Sequence, residues 1–312
     1  MNVLLIDATA LAYNCIYGAP PLTRQSDGRS VGAAVLFANR IVALLVQERP
    51  SYCVMAFDAG GNFREALSDR YKGNRPDKDF DDDAKWCLSA MRYVAGLVGL
   101  RADSHGYEAD DVLATYARIA RKRKLTATVV ANDKDMHQLV TKGVTVVPVR
   151  GEGRIDEAAV VKRWGVAPGI VPDVQAIAGD GVDNVGGVKG IGLVRAAGLV
   201  AGKSSLLEMC ASAPDAPSAY ERVALAAGSL DALRQSWLVR LHDEVPGCDL
   251  VRAAVKSDVG RGLVGFLLAL ESKNSSARAA RDLRVPMSTC RPDAKVASKS
   301  ARSAKRERTL FG

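Results

Sequence analysis

The chain predicts an α/β fold: a mainly parallel sheet covered by helices, followed by a second, helical unit. Three observations predict it. Short apolar runs of strand length alternate with stretches of helical periodicity through the first half. Three of those runs lead straight into an aspartate, as LLID, VMAFD and VVAND. After about Gly165 the strand patterns stop and only helical spacing continues.

The elements follow in order. Asn2–Ile6 is a short apolar run and reads as a buried strand. Val31–Val46 has helical spacing, and Tyr52–Phe57 reads as a strand. Ala84–Val98 sets Cys87, Leu88, Met91, Val94, Ala95 and Val98 three and four apart, the spacing of one helix face. Tyr107–Arg123 is helical, acidic at its start and basic at its end, which suits the macrodipole. Thr126–Ala131 and Val144–Val149 read as strands. Between Gly60 and Asp83 the pattern breaks into a charged excursion with Tyr71, Lys72, Arg75 and the acidic run Asp79–Asp83. In the second half, Asp173–Ala178, Leu193–Val200, Ser204–Cys210, Tyr220–Ala227 and Ser229–Leu241 read as helices. From Ser272 apolar periodicity fades, and Ser275–Arg308 reads as largely disordered. The expected division is therefore residues 1–165, 166–271 and a basic tail at 272–312.

Composition removes several function classes. No stretch of the 312 residues approaches the ~20 apolar residues of a membrane span. The opening MNVLLIDATALAYN carries Asp7 and lacks a basic n-region, so it reads as a strand and not a signal peptide. Cys15, Cys53, Cys87, Cys210, Cys248 and Cys290 are scattered, and the histidines are His105, His137 and His242 alone. That argues against a zinc site or a disulfide scaffold and for a reducing, cytoplasmic setting. Of the net charge of +8, residues 291–312 carry +5. A basic tail points to a polyanion, nucleic acid first.

The chemistry is concentrated in carboxylates. Asp7, Asp58 and Asp133 each end a predicted strand. In an open parallel sheet, ligands bind beyond the carboxyl ends of strands. Two such charges ~5 Å apart repel by about 3 kcal/mol at an effective dielectric of 20, which cations would relieve. GYEADD adds Glu108, Asp110 and Asp111 at a helix start, NDKD adds Asp135, and GDGVDN adds Asp180 and Asp183. Taken singly, each motif is also an ordinary cap or turn; their joint occurrence points to a metal site. Acids without histidines suit a hard ion, hence Mg²⁺, with Mn²⁺ as a substitute.

Directly after Asp183 comes NVGGVKGIG. Gly190-Ile191-Gly192 opens a helix whose backbone N–H groups suit a phosphate, flanked by Lys189 and Arg195. No GxxxxGK[ST] element occurs, so a Walker site is not supported. In the excursion, RYKGNR sets Arg70, Lys72 and Arg75 around Tyr71, a pattern that holds phosphates and stacks a base.

With these motifs in hand, the chain resembles the bacterial and phage 5′-nuclease family: flap endonucleases and the 5′-nuclease domain of bacterial DNA polymerase I. LLIDATALAY, MAFDAGGNFR, RYKGNRP, GYEADDVLA, NDKDMHQLV and AGDGVDNVGGVKGIG carry the resemblance from about Asn2 to Pro246. No polymerase region follows, so the resemblance is to a stand-alone form.

The resemblance implies a PIN-like core with a helical arch at about 60–98, then a helix–three-turn–helix or helix–hairpin–helix domain. It implies structure-specific 5′–3′ exonuclease and flap endonuclease chemistry in primer removal, repair or recombination, with about two Mg²⁺ ions. Asp7, Asp58, Glu108, Asp110, Asp111, Asp133, Asp135, Asp180 and Asp183 fall on the metal-site acids. Lys72 falls on the lysine that contacts the scissile phosphate, with Arg64, Arg70, Tyr71 and Arg75 as neighbouring DNA contacts. Gly187, Lys189, Gly190, Gly192 and Arg195 fall on the element that grips the duplex backbone, often with K⁺. Flap, 5′-ended or branched DNA is the implied partner, with an RNA–DNA hybrid as a further substrate and a monomer as the form. A non-catalytic junction binder on the same fold is the alternative; it would lack acids that this chain retains. Leu310-Phe311 near the end of the tail faintly resembles sliding-clamp peptides. The family pattern is broken at Ala8, Asn14 and Gly186, and by the acidic Asp81-Asp82-Asp83 within the arch.

Overall fold

The computed structural model describes residues 1–75, 79–150, 153–201, 206, 208, 232, 233 and 235–297. Its strands are β1 (Asn2–Asp7), β2 (Tyr52–Phe57), β3 (Leu100–Asp103), β4 (Thr126–Val130) and β5 (Val144–Val147). Its helices are α1 (Ala8–Gly18), α2 (Gly32–Glu48), α3 (Phe63–Leu67), α4 (Asp82–Val98), α5 (Ala109–Lys122), α6 (Glu157–Trp164), α7 (Val171–Ala178), α8 (Leu193–Val200), α9 (Val259–Ala269), α10 (Lys273–Asp282) and α11 (Ala294–Ala297). The helix expected at Tyr220–Ala227 and the Leu310-Phe311 pair lie outside the described residues, as do most of Ser204–Cys210 and part of Ser229–Leu241.

Two compact units interleave along the chain. One holds Met1–Phe57, Lys78–Asp103 and Asp249–Gly312; the other holds Asp58–Asp77 and Ser104–Cys248. The division expected at residue 165 follows chain order, and these units do not.

In the first unit β1 pairs with β2 and β2 with β3, both in parallel, with Val3 opposite Tyr52 and Val54 opposite Leu100. Val3–Ile6 and Cys53–Ala56 are wholly buried, which is why these strands read as unbroken apolar runs and not as an alternation. α1 and α4 pack on β2, α2 packs on α1 and α4, and α9 and α10 cover α2. Helix α1 was not expected from the sequence. Asp7 starts it, accepting from the Ala10 N–H at 2.9 Å as its N-cap. The acidic run has the same use at α4: Asp81 accepts from Ala84 N at 2.7 Å, and Asp82 and Asp83 fill the first turn.

The expected disorder from Ser275 onward is corrected for the described part of the tail. Residues 273–282 are helical, and Ser276, Ala279, Ala280, Cys290 and Val296 are buried. Asn39 Nδ2 donates to Ser275 Oγ at 3.0 Å, and the Tyr93 hydroxyl donates to Asp293 at 2.7 Å. Arg24, itself 2% exposed, donates to the Val296 carbonyl at 2.9 Å. Small side chains bury here by close approach: a Cβ on Gly265 would stand 2.7 Å from the Arg291 carbonyl oxygen. Serine and alanine give no apolar period, so the sequence hid this packing.

In the second unit β4 and β5 are parallel, with Ala127 opposite Val144, and α5 packs against β4. A 3₁₀ segment, Lys134–Leu139, follows β4 and is capped by Asp133. After α7 the chain doubles back on itself. Asp180 and Val185 exchange backbone hydrogen bonds of 2.8 Å, and Val188 N donates to the Ile177 carbonyl at 2.6 Å. Gly179 (φ +81°) and Gly187 (φ +67°) meet there, and a Cβ on Gly187 would stand 2.4 Å from Gly179 N. Only glycine fits both the positive φ and that approach. Gly186 lends its backbone to this crossing, since a Cβ on Gly179 would stand 2.9 Å from the Gly186 carbonyl oxygen.

Among the described residues no helix is long and apolar enough to cross a membrane.

Candidate active site

The acids of the second unit are held by named partners. Asp58, the first residue after β2, accepts from Ala109 N at 2.9 Å and so sits against the start of α5. Glu108 is the N-cap residue of α5, and Asp110 and Asp111 lie in its first turn. Across from Glu108 stands Asp183, and the basic excursion fills the space between them. The Tyr71 hydroxyl donates to Glu108 at 3.0 Å and to Asp183 at 3.4 Å. The Lys72 ammonium donates to Glu108 and lies 3.8 Å from Asp183, and Arg75 donates to Asp183 at 2.6 Å. A backbone bond from Lys72 N to the Asp183 carbonyl at 3.1 Å fixes this register, with Lys72 in the left-handed region at φ 54°.

A second group of acids is joined by an amide. Gln175 Nε2 donates to Asp135 at 2.5 Å and to Asp180 at 3.2 Å. Lys134 donates to Asp180 at 2.7 Å, and Asp133 accepts from Asp135 N at 2.9 Å. Burial first, then the charge of Asp133, pushes the Asp135 carboxyl up to about 8. Asp183 and Asp180 add to that push, so all four carboxylates share one negative field. For Lys72, burial acts to lower the ammonium, but Glu108 and Asp183 outweigh it and hold it above its usual value. Tyr71 is raised far above an ordinary phenol, by burial and then by the Glu108 charge.

Three expected roles are corrected. Arg64, expected to contact DNA, is completely buried. It pairs with both oxygens of Asp111, at 2.7 and 2.8 Å, and donates to the carbonyls of Leu238 and Arg240 at 2.9 Å each. Asp111, expected as a metal ligand, is equally buried and also accepts from Glu108 N at 3.0 Å and His242 N at 2.8 Å. Both oxygens are used up in holding the start of α5 to the 238–242 segment. Tyr71, expected to stack on a base, is 5% exposed, with its hydroxyl on two carboxylates.

Asp7 belongs to the other unit, where it caps α1. Arg70, Lys189, Gly190, Gly192 and Arg195 are exposed, and Gly192 is the N-cap of α8. The sequence reading missed Lys134 and Gln175. Lys134 stands in plain view inside NDKD; Gln175 was detectable as a polar residue within the apolar run VQAIA of α7. Among the described residues no three His, Cys, Asp or Glu side chains already converge on one metal position. Lysine and arginine occupy the carboxylates instead.

Against known proteins, the sequence profile described as "5′-3′ exonuclease, N-terminal resolvase-like domain" matches residues 2–165. DNA polymerase I of Rhizobium leguminosarum is 33% identical over 290 residues, covering 89% of this chain and 28% of that one. The 5′-3′ exonuclease of Aquifex aeolicus is 33% identical over 193 residues, 61% of this chain and 66% of that one. The chain spans roughly a quarter of the polymerase relatives, 28% and 23% for the Rhizobium and Pseudomonas aeruginosa proteins. Among solved structures, phage T5 5′-exonuclease with bound divalent metal ions (zinc) has a TM-score of 0.67 at 18% identity, over 91% of this chain and 98% of that one. The catalytic core of Rad2 in complex with a DNA substrate has a TM-score of 0.56 at 14% identity, over 91% of each chain. At those identities the structural likeness is one of fold, a parallel sheet with flanking helices. The profile match covers more than half of the sequence, and this chain belongs to the 5′–3′ exonuclease family.

Proposed function

We propose that the protein is a metal-dependent, structure-specific 5′-nuclease. It would hydrolyse phosphodiesters at flaps and 5′ ends of branched DNA, leaving 5′-phosphate and 3′-hydroxyl ends. The observation that carries this reading is Lys72, seated between the carboxylates of Glu108 and Asp183, which come from separate segments of the chain. Neutralising these two acids would not also need Arg75 on Asp183 and a buried phenol on both. A site that must receive both a phosphate and a cation does need both signs of charge at one place.

The donors fit a hard divalent ion. They are carboxylate oxygens, and His137, two residues after Asp135, is engaged by Trp164. Burial and the charges of Asp133, Asp183 and Asp180 raise the Asp135 carboxyl, and a bound divalent ion would relieve the repulsion among these acids. Glu108, Asp133, Asp135, Asp180 and Asp183 would hold about two Mg²⁺ ions, with Asp7, Asp58 and Asp110 completing the set and Mn²⁺ able to substitute. When bound, the ions supply an activated water and stabilise the leaving 3′-oxygen.

The chain's own residues bind and orient. Lys72 would leave Glu108 to meet the phosphoryl oxygens, where its charge stabilises the transition state. Arg75 would hold the adjacent phosphate. The Tyr71 hydroxyl orients Glu108 and Asp183. Gly187, Gly190 and Gly192, with Lys189 and Arg195, would receive the duplex backbone at a helix–hairpin–helix element, with K⁺ as the counter-ion there. A helical arch over 60–98 belongs to the same reading.

The test is a 5′-flap duplex labelled at the flap end. Cleavage near the junction in Mg²⁺, with 5′-phosphate and 3′-hydroxyl products and none in EDTA, is the expected result. Tight binding without cleavage under any divalent ion would favour the junction-binding alternative.

A further inference from the structure

We infer that Gln175 is a positioning residue, whose amide sets the relative placement of the Asp135 and Asp180 carboxylates for cation binding. The inference rests on the nuclease reading above and adds to it a residue that no sequence motif marked.

The argument starts from the two N–H donors of a primary amide. Both point at carboxylates: Nε2 lies 2.5 Å from Asp135 Oδ1 and 3.2 Å from Asp180 Oδ2. Asp135 comes from the 3₁₀ segment that follows β4 and Asp180 from the glycine turn after α7, so one side chain ties two chain segments. Gln175 is 1% exposed, and its Oε1 has no hydrogen-bond partner among the described residues. A residue kept only for packing would be apolar here, as Val174, Ala176 and Ile177 are. The N–H side of the amide is thus the useful side. Reversing the amide would set Oε1 against two carboxylates, so the acids themselves dictate its orientation.

The neutrality of the donor is the second point. A lysine or arginine at 175 would also hold both acids, but would cancel one of the charges that attract a divalent ion. The amide restrains them without that loss. It engages one oxygen of each, leaving Asp135 Oδ2 unclaimed by it and Asp180 Oδ1 to the Lys134 ammonium and the Val182 N–H. Removing partners that orient metal-binding carboxylates typically weakens metal affinity by about 10–100-fold.

The test uses the full chain and Mn²⁺ alone, read by electron paramagnetic resonance titration, so no turnover is needed. Gln175→Met keeps length and volume and removes the amide. We expect Q175M to fold, to bind Mn²⁺ about 10-fold or more weakly, and to show a raised metal requirement for flap cleavage. Gln175→Asn, which keeps the amide one methylene short, should recover part of the affinity; if Q175M fails to fold, Q175N becomes the test and should still weaken Mn²⁺ binding. Unchanged Mn²⁺ affinity in a folded Q175M, or in Q175N where Q175M does not fold, overturns the inference while wild type still binds and cleaves. Failure of wild type to bind Mn²⁺ or to cleave would instead overturn the nuclease reading.

Discussion

Arg64 and Asp111 form a two-pronged ion pair, 2.7 and 2.8 Å, with both side chains fully buried. Four further hydrogen bonds, to or from the backbone of Glu108, Leu238, Arg240 and His242, complete it. Breaking one half of such a pair leaves a buried charge without its partner, at a cost of about 3–5 kcal/mol. Arg64→Ala and Asp111→Ala should each lower stability by that order in urea denaturation, with loss of activity following loss of fold. Arg64→Lys should not rescue, since an ammonium cannot span both oxygens. A folded Asp111→Ala protein with normal stability and impaired metal binding would return Asp111 to the ligand set.

Lys72 and Tyr71 share the same two acids but should differ in effect. Lys72→Ala should cut single-turnover cleavage of a 5′-flap by about 100-fold or more, the size expected for losing a transition-state cation. Its thermal stability should change little. Tyr71→Phe removes a hydroxyl whose partners keep other donors, and its ring is buried. DNA affinity should therefore fall by less than about 3-fold, the scale of one modest hydrogen bond. Fluorescence anisotropy at fixed salt checks this; a large loss of affinity for Y71F would restore a direct role on DNA.

His137 predicts a pH effect. The Trp164 indole N–H donates to its Nδ1 at 2.8 Å, so the neutral ring carries its proton on Nε2. Burial holds the imidazole down to about 4, against about 6.5 when unfolded. Between those values the unfolded chain binds the proton and the folded one does not. The stabilisation is complete above about pH 6.5 and is lost as pH falls toward about 4, a change of about 2 kcal/mol allowing for screening. Asp135, raised to about 8, contributes with the opposite sign over the same range, so the difference between wild type and His137→Phe in urea denaturation from pH 7 to 4.5 should show this slope.

The packing of residues 273–297 gives a fourth prediction. Deleting 273–312 removes α10, α11 and the Arg24 and Asn39 contacts and should lower the melting temperature by about 5 °C or more relative to deleting 298–312 alone. Equal melting temperatures for the two truncations would contradict the packing of residues 273–297.

Much of this was legible in the sequence, for physical reasons. Buried parallel strands such as Tyr52–Phe57 announce themselves as unbroken apolar runs, and α8 was bounded by Gly192 before it. The acids were visible because several motifs placed them at strand ends and helix starts. Their separate duties were not. Asp111 follows Asp110 in the same motif, yet it points to Arg64, a partner 47 residues away that no spacing rule supplies. Tyr71 looks like a stacking residue beside Lys72 and Arg75 until its hydroxyl is seen on Glu108 and Asp183. Helix α1 was hidden because Asp7 reads equally as a strand end and as a cap, and it is both. The tail helix was hidden because alanine and serine do the packing.

The most direct measurement is the single-turnover rate of 5′-flap cleavage in Mg²⁺ for wild type beside Asp133→Ala and Asp183→Ala, with DNA affinity measured in parallel. If these acids hold the catalytic metal ions, both variants should lose at least about 100-fold in rate while still binding the flap. Cleavage by either variant at the wild-type rate would contradict the placement of the chemistry at this carboxylate site.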